Sequence, residues 1–276
     1  MATRMGELMA GILPELRMHA IDKWIRAESD GEVIVDTRRA VVVWEPRRVV
    51  PSYAVPDEHI AGELVPYEGP VGAEHGVRIG ADGPPVLDPS TPFTVHSCPG
   101  TPLSIRTASG ELSGAAFRPD DPDLSGYVVL DWSAFTQWYE EEQPVLGHPH
   151  DPFDRIDCLP STRHVIVSLN GRVLADSSAP TLLFETPLPM RFYLPRKDVR
   201  MELLRASERH TVCAYKGLAS YWSAEIDGVS SPDVAWSYEH PLHDALPVAG
   251  LIAFLTERLD LNVDGVDIER PVTPWS

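Results

Sequence analysis

The sequence lacks a long hydrophobic run. Its longest apolar stretches, such as "AVVVW" from Ala40 to Trp44, are far shorter than the roughly 20 residues that span a bilayer as a helix. The N-terminus also lacks a basic segment followed by an apolar core and a small-residue cleavage site, the pattern of a secretory signal. We therefore expect no membrane association and a cytoplasmic location.

Cysteine is scarce as well. The three cysteines, Cys98, Cys158 and Cys213, are far apart and form no C-x-x-C pair. A four-cysteine zinc site is excluded, and a disulfide framework is not expected in a reducing compartment.

Basic residues are too few to balance the acidic ones. There are 23 Lys and Arg against 41 Asp and Glu, which gives a net charge of −18. This balance opposes non-specific binding to nucleic acid or anionic lipid, because Lys and Arg supply the affinity for phosphate. A phosphate loop of the form G-x-x-x-x-G-K-[ST] is also absent. We expect no nucleic-acid and no membrane partner, and the sequence identifies no cofactor or oligomeric state.

The residues that are present indicate an internal repeat. "GEVIVDTRRAVVVWEP" from Gly31 resembles "GRVLADSSAPTLLFET" from Gly171 at a constant offset of 140, and Tyr53 and Tyr193 keep that offset. Further along, "FTVHSCPG" resembles "HTVCAYKG", and "AFRPDDP" resembles "AWSYEHP". The identical pairs of the first block are Gly31 and Gly171, Val33 and Val173, Asp36 and Asp176, and Glu45 and Glu185. The sequence predicts two tandem copies of one domain.

The repeat also predicts domain boundaries. The first, degenerate copy covers residues 1–142, with a long internal loop near 62–92, and the second, complete copy covers residues 161–276. Residues 143–160 are polar and rich in proline, which is typical of a linker. The side chains of His148, His150, Asp151 and Asp154 would also allow a metal site, but a solvated linker is the favoured interpretation, and we predict no metal site.

Each copy is predicted to be mainly β. Asn170-Gly171 and Asp30-Gly31 are predicted hairpin turns, since these residue types tolerate the positive φ of a type I′ turn. The stretch "DALPVAGLIAFLTERL", residues 244–259, has helical spacing of its apolar residues. The predicted fold is two tandem copies of a small antiparallel-sheet domain with a minor α+β character, each closed by one helix.

The second copy resembles a known family. The blocks "NGRVLADS", "RFYLPRKDVRMELL", "HTVCAYKGLASYWS" and "VAWSYEHPL" occur in the order found in the family called domain of unknown function 427. The resemblance covers Arg163 to Pro271, and a degenerate member covers roughly Trp24 to Glu142. It implies small, mainly β bacterial domains with a β-tent-like fold, in which antiparallel sheets converge over a pocket. A nucleotidyltransferase-like label is sometimes given to this family. Ala214 stands where the family motif T-x-C-P-Y-K-G has proline.

The stretch "HTVCAYKG" carries candidate reactive groups. Cys213 is a candidate nucleophile with His210 as its base, although on a strand their side chains point to opposite faces. The alternative is a buried structural cysteine. Lys216 is a candidate for covalent chemistry or phosphate binding, and the alternative is a solvated turn lysine.

Aromatic residues are concentrated in the second copy. We expect several of them to line a pocket for a small, planar or cationic ligand, and the alternative is that they are core residues. Asp198 is interpreted either as a partner of Lys216 or Arg200 or as the N-cap of "VRMELL". The predicted ligand-binding set is Tyr193, Asp198, Arg200, Tyr215, Tyr221, Trp222, Trp236 and Tyr238.

Three functions remain open at this point. The first is binding of a small molecule in the second copy. The second is an enzyme that uses Cys213 or Lys216 covalently, including nucleotidyl transfer. The third is a non-catalytic protein-interaction module. The sequence does not decide between an enzyme and a binding protein.

Overall fold

Two units make up the chain. The computed structural model describes residues 2–74, 76–78, 85–186, 188–226 and 228–273. The first unit consists of Met1–Val77 and Pro85–Asp151, and the second of Arg78–Pro84 and Pro152–Ser276. Among the described residues, no helix is both long enough and apolar enough to span a membrane.

Up to Val145, the described residues form one short α-helix, thirteen strands and three short 3-10 turns. The 3-10 turns are Asp57–His59, Pro122–Leu124 and Trp132–Ala134. The helix and strands are α1 (Met5–Gly11), β1 (Arg17–Ala20), β2 (Ile25–Ser29), β3 (Glu32–Thr37), β4 (Val41–Trp44), β5 (Ser52–Pro56), β6 (Glu63–Pro66), β7 (Val77–Arg78), β8 (Pro85–Val86), β9 (Gly100–Arg106), β10 (Glu111–Pro119), β11 (Tyr127–Leu130), β12 (Gln137–Glu140) and β13 (Gln143–Val145).

From Ile156 onward, the elements that the structure describes are strands and 3-10 turns. The turns are Arg196–Asp198, Met201–Leu203 and His243–Val248. The strands are β14 (Ile156–Pro160), β15 (Val165–Leu169), β16 (Arg172–Ser177), β17 (Thr181–Glu185), β18 (Arg191–Leu194), β19 (Leu204–Cys213), β20 (Gly217–Ile226), β21 (Val229–Ser237), β22 (Ile252–Phe254), β23 (Asp260–Val263) and β24 (Val266–Ile268).

Each unit contains one seven-stranded and one four-stranded sheet. In the first unit the orders are β1-β4-β5-β11-β10-β9-β6 and β13-β12-β2-β3. In the second unit they are β14-β17-β18-β22-β21-β20-β19 and β16-β15-β23-β24. Neighbouring strands in these sheets are antiparallel. The prediction of a mainly β, antiparallel fold is confirmed.

The main core of the first unit lies between its two sheets. It joins Ile25 and Ala27 of the small sheet to Val42 and Tyr53 of the large sheet. A second apolar cluster, which includes Ala54, covers the opposite face of the large sheet.

The second unit has the same two layers of apolar packing. Its main core joins Val165 of the small sheet to Phe192 and Phe254 of the large sheet. A second cluster, which includes Leu183 and Tyr193, covers the opposite face. We call this opposite face of the β14-to-β19 sheet the outer face.

The two predicted hairpin turns are present. Asn170 and Gly171 have φ values of 51° and 76°, and Asp30 and Gly31 have 50° and 81°. Both residues of each turn are therefore in the left-handed region that a type I′ turn requires. The turns connect β2 to β3 and β15 to β16.

The predicted closing helices are wrong. Residues 243–248 form a 3-10 turn, Gly250 follows with a φ of 67°, and Ile252–Phe254 form β22 inside the large sheet. The left-handed glycine ends the helical geometry, and the buried strand position outweighs the helical spacing. In the first unit the same place in the large sheet is taken by β11, which follows the 3-10 turn Pro122–Leu124 and the left-handed Gly126, and the predicted helical stretch around Phe135 forms the turn Trp132–Ala134 and the strand β12.

Two other predicted segments differ in detail. The predicted linker at residues 143–160 begins with β13 and ends with β14, so both of its ends belong to sheets. The predicted loop near 62–92 contains β6, which pairs with β9. Residues 75 and 79–84 of this loop lie outside the described residues.

Tyr53 and Tyr193 do not hold equivalent positions, although their spacing suggests it. Val41 pairs with Ala54 in the first unit, whereas the corresponding Thr181 pairs with Tyr193 in the second. The segment between the paired residues Thr181 and Tyr193 is one residue shorter than the segment between Val41 and Ala54, and a shift of one residue reverses the face of a strand residue. Tyr53 therefore lies in a main core, whereas Tyr193 lies on the outer face.

Candidate functional site

The outer face of the second unit carries a row of aromatic side chains. Tyr193 in β18 pairs with Ala253 in β22, Ala253 pairs with Trp236 in β21, and Trp236 pairs with Tyr221 in β20. Because directly paired residues of neighbouring strands point to the same side of a sheet, these side chains lie next to one another. Tyr238, two residues after Trp236, belongs to the same apolar cluster.

Polar contacts connect these aromatic residues. The Nε1 atom of Trp236 donates a hydrogen bond to the hydroxyl of Tyr193 at 3.1 Å, and the two rings meet edge to face with centres 6.3 Å apart. Tyr193 and Tyr238 are buried, and this burial is the main reason that the pKa of each phenol lies above its ordinary value. Both hydroxyls therefore keep their protons at neutral pH and are available as donors.

Lys216 reaches the same face from the turn between β19 and β20. Its Nζ atom donates to Oε2 of Glu185 at 2.5 Å, and the two side chains are only 9% and 12% exposed. Burial lowers the pKa of Lys216, but the proximity of Cys213 and the carboxylate of Glu185 raise it by more, so that it lies above the ordinary value of a lysine. The amine is therefore charged at neutral pH.

The ion pair leaves hydrogen-bonding capacity unused. A lysine amine has three N–H donors, and within the described residues its only acceptor is Oε2 of Glu185. In that same part of the chain, Oε1 of Glu185 and the hydroxyl of Tyr238 have no hydrogen-bond partner. Tyr238 interacts electrostatically with Glu185, so the two groups are near each other. Neither atom is among the buried polar atoms that have no partner in the described residues, so both are reached by solvent and can accept a further polar partner.

Cys213 is near this pair, but His210 is on the other face. Cys213 interacts electrostatically with Lys216, Tyr193 and Tyr238. The pairing of β19 with β20 is regular from His210 to Cys213. Residues three apart on a regular strand point to opposite faces. The structure therefore does not place His210 as a base for Cys213, and His210 instead lies 3.3 Å from the carbonyl oxygen of Ala219.

Three other predicted ligand-binding residues lie elsewhere. Trp222 packs against the main core, on the face opposite to Trp236. Asp198 accepts a hydrogen bond from the hydroxyl of Ser177 in β16 at 2.7 Å, so it is neither a partner of Lys216 nor a helix cap. The exposed Arg200 donates its backbone N–H to Leu174, also in β16. Asp198 and Arg200 therefore contact the small sheet rather than the outer face.

The remaining predicted residue, Tyr215, is buried in the turn next to Lys216. The alternative interpretation of Lys216 as a solvated turn lysine is wrong, since its side chain is 9% exposed and paired with an acid.

Sequence reasoning missed Glu185 as a site residue. Its recurrence with Glu45 at the end of an apolar strand was a visible signal, because a charged residue in such a place is seldom buried without a partner. Cys158 in β14 was missed as well. It packs against the outer-face cluster, and burial raises the pKa of its thiol.

The set of titratable groups on this face does not resemble a metal centre. Among the residues that the structure describes, no group of three or more His, Cys, Asp or Glu side chains is placed to hold a metal ion.

Comparison with known proteins concerns the second unit. A search of curated proteins finds no match to the chain. A family model does match part of the chain. The matched segment begins in β14 and ends between β23 and β24, so it includes both Glu185 and Lys216. Residues 157–265 match the family model of a domain of unknown function, DUF427.

Proposed function

We propose that the second unit binds a small, uncharged polar molecule at the Glu185–Lys216 pair. The observation that carries this proposal is the unused hydrogen-bonding capacity of the nearly buried Lys216 and Glu185 side chains, which lie beside each other with the hydroxyl of Tyr238 nearby. The two opposite charges neutralise each other, so a ligand without net charge is favoured over an ion. The half-buried rings of Trp236 and Tyr221 would form the apolar side of such a site.

Binding has more support than covalent catalysis at the same residues. A lysine amine attacks an electrophile only when it is neutral, and the raised pKa of Lys216 keeps it charged. A cysteine nucleophile is activated by an adjacent base or by a lowered thiol pKa, and the base predicted for Cys213, His210, projects from the opposite face of the sheet. Nucleotidyl transfer through Lys216 and thiol catalysis through the His210–Cys213 pair are therefore disfavoured. No contact among the described residues specifically favours an interaction module.

A ligand screen with matched variants tests this function. The full chain is screened by thermal unfolding against amides, ureas, nucleosides and polyols, and any compound that raises Tm is titrated by calorimetry. A ligand at about 100 times its Kd stabilises the folded state by about 2.7 kcal/mol, which is a readily measured shift. Binding should be weakened by Glu185→Gln and by Tyr238→Phe, and it should be unchanged by Ser97→Ala in the first unit. The proposal fails if no compound binds, or if binding is the same in Glu185→Gln.

We also propose that the two units are tandem copies of one domain, with the ancestral site kept in the second copy. The identical strand orders support this. So do two side-chain contacts at an offset of 140: Trp24 Nε1 donates to Asp36, and His164 Nε2 contacts Asp176. By sheet position, Ala54 and Pro102 of the first unit replace Tyr193 and Tyr221. The first unit therefore lacks the aromatic row.

We propose that the protein is located in the cytoplasm. The three cysteines are free thiols, as is usual in a reducing environment. The charge of −18 supports a small-molecule ligand rather than a nucleic-acid partner.

A further inference from the structure

In the first unit, the side chain of His96 occupies the place that corresponds to the site at Glu185 in the second unit. Glu45, at the offset of 140 from Glu185, is only 2% exposed. One of its carboxylate oxygens accepts a hydrogen bond from the backbone N–H of Ser97 at 2.8 Å, and the other lies 3.1 Å from Nδ1 of His96. Because a carboxylate accepts hydrogen bonds, Nδ1 of His96 carries the proton in this contact.

The ring of His96 also rests on an aromatic residue that matches Trp236. Phe117 in β10 pairs with Val129, and Trp236 in β21 pairs with Ala253, at the same place in the two large sheets. The rings of His96 and Phe117 are stacked, with centres 3.7 Å apart and an angle of 8° between their planes. The first unit therefore holds a planar heterocycle between a carboxylate and an aromatic ring.

In the second unit the corresponding carboxylate, that of Glu185, has one oxygen with a hydrogen-bond partner and one without among the described residues. Lys216 occupies one oxygen of Glu185, as the backbone of Ser97 occupies one oxygen of Glu45. No described residue takes the other oxygen, which in the first unit binds His96. The Trp236 ring is contacted by the Arg191 guanidinium, 5.5 Å from its centre, and remains partly exposed.

We infer that the ligand of the second unit is a planar nitrogen heterocycle with a ring N–H. This inference rests on the proposed binding function. The ring N–H donates to the unengaged oxygen of Glu185, and the ring stacks on Trp236, as His96 stacks on Phe117. A ring nitrogen or carbonyl acceptor beside that N–H is met by the remaining donors of Lys216. His96 thus makes, within the first unit, the contacts that the ligand makes in the second unit.

Benzimidazole and 1-methylbenzimidazole are the probes for this inference, because at neutral pH the methylated compound has no ring N–H. Binding to the full chain is measured by calorimetry and by chemical-shift changes in the NMR spectrum. We expect benzimidazole to bind at least about tenfold more tightly than its methylated form. This comparison uses the unmodified protein and does not depend on how any variant folds.

Two tryptophan variants locate the site. Trp236→Leu should weaken benzimidazole binding by about tenfold. Trp222→Leu removes a tryptophan from the same sheet on the other face and should leave binding unchanged. Equal affinity for the two probes overturns the inference, as does full binding in Trp236→Leu. If benzamide or a polyol binds in a Glu185-dependent way and benzimidazole does not, the heterocycle inference fails while the binding function stands. If no compound of any class binds, both fail.

Discussion

The Nζ atom of Lys216 lies 2.5 Å from Oε2 of Glu185, although the two residues are 31 positions apart in the sequence. The pair joins the turn after β19 to the end of β17. Both side chains are nearly buried, so the loss of one partner would leave the other as an uncompensated charge in an apolar face.

We therefore expect Lys216→Met to destabilise the second unit by about 3 kcal/mol, because removing one partner of a buried ion pair has a cost of this size. Unfolding by urea, followed separately for the two units by NMR, measures the change. The double variant with Glu185→Leu should regain most of the loss, since it leaves no unpaired charge. Lys197→Met, an exposed lysine, is the control. Equal stability of Lys216→Met and Lys197→Met would contradict the prediction.

Local features of the fold could be predicted from the sequence, whereas pairings over long distances could not. The Asn170-Gly171 turn follows from two residue types that tolerate positive φ. The stretch around Phe254 has helical spacing, yet its place between β18 and β21 depends on strands that are distant in the sequence. A single-residue difference in one connection decides which face Tyr193 occupies, and no periodicity records that difference.

The candidate site was predictable in part for the same reason. Four of the predicted ligand-binding residues, Tyr193, Tyr221, Trp236 and Tyr238, lie in one apolar cluster of the second unit, whereas Trp222, Asp198 and Arg200 lie elsewhere. Glu185, the partner of Lys216, was visible in the sequence only as a repeated acid. The contact depends on how the turn after β19 meets β17, a pairing of side chains that local sequence does not encode.

We expect Glu140 to make the free energy of unfolding of the first unit depend on pH in the acidic range. Burial raises the pKa of Glu140, but hydrogen bonds from His150, Lys23 and Tyr53 lower it by more, to about 2. Because the folded-state pKa lies below the unfolded value, the ionised carboxyl stabilises the fold above about pH 4.5, and this contribution is lost as the pH falls towards about 2.

The comparison of wild type with Glu140→Gln measures this contribution. The difference in unfolding free energy should be about 2 kcal/mol near neutral pH, and it should shrink steadily below about pH 4.5. Glu142→Gln is the control, because Glu142 is 83% exposed in its ion pair with Arg26. A difference that is independent of pH would show that Glu140 contributes through packing rather than through its charge.

Cys98 should be an unreactive thiol. Burial and the nearby carboxylates of Glu45, Asp121 and Asp120 raise its pKa to about 12. Since the thiolate is the reactive form, alkylation by iodoacetamide near pH 8 should be at least about 100-fold slower than that of free cysteine. Peptide mass spectrometry measures the rate, and the same peptide in urea-unfolded protein is the reference. Labelling of Cys98 at equal rates in folded and unfolded protein would rule the prediction out.

His96→Ala should create a cavity that free imidazole can fill. The variant loses the stacking on Phe117 and the contact with Glu45, at a cost of about 2 kcal/mol. Imidazole at millimolar concentration should restore part of the lost Tm, because a ligand that binds only the folded state stabilises it by mass action. Near pH 9 imidazole is neutral and keeps its N–H, whereas 1-methylimidazole has none and should restore much less. His210→Ala, which removes an exposed histidine from the second unit, should show no recovery with either compound. Equal recovery of His96→Ala by both compounds would mean that shape alone fills the place, and the hydrogen bond to Glu45 would then not be what selects the ring.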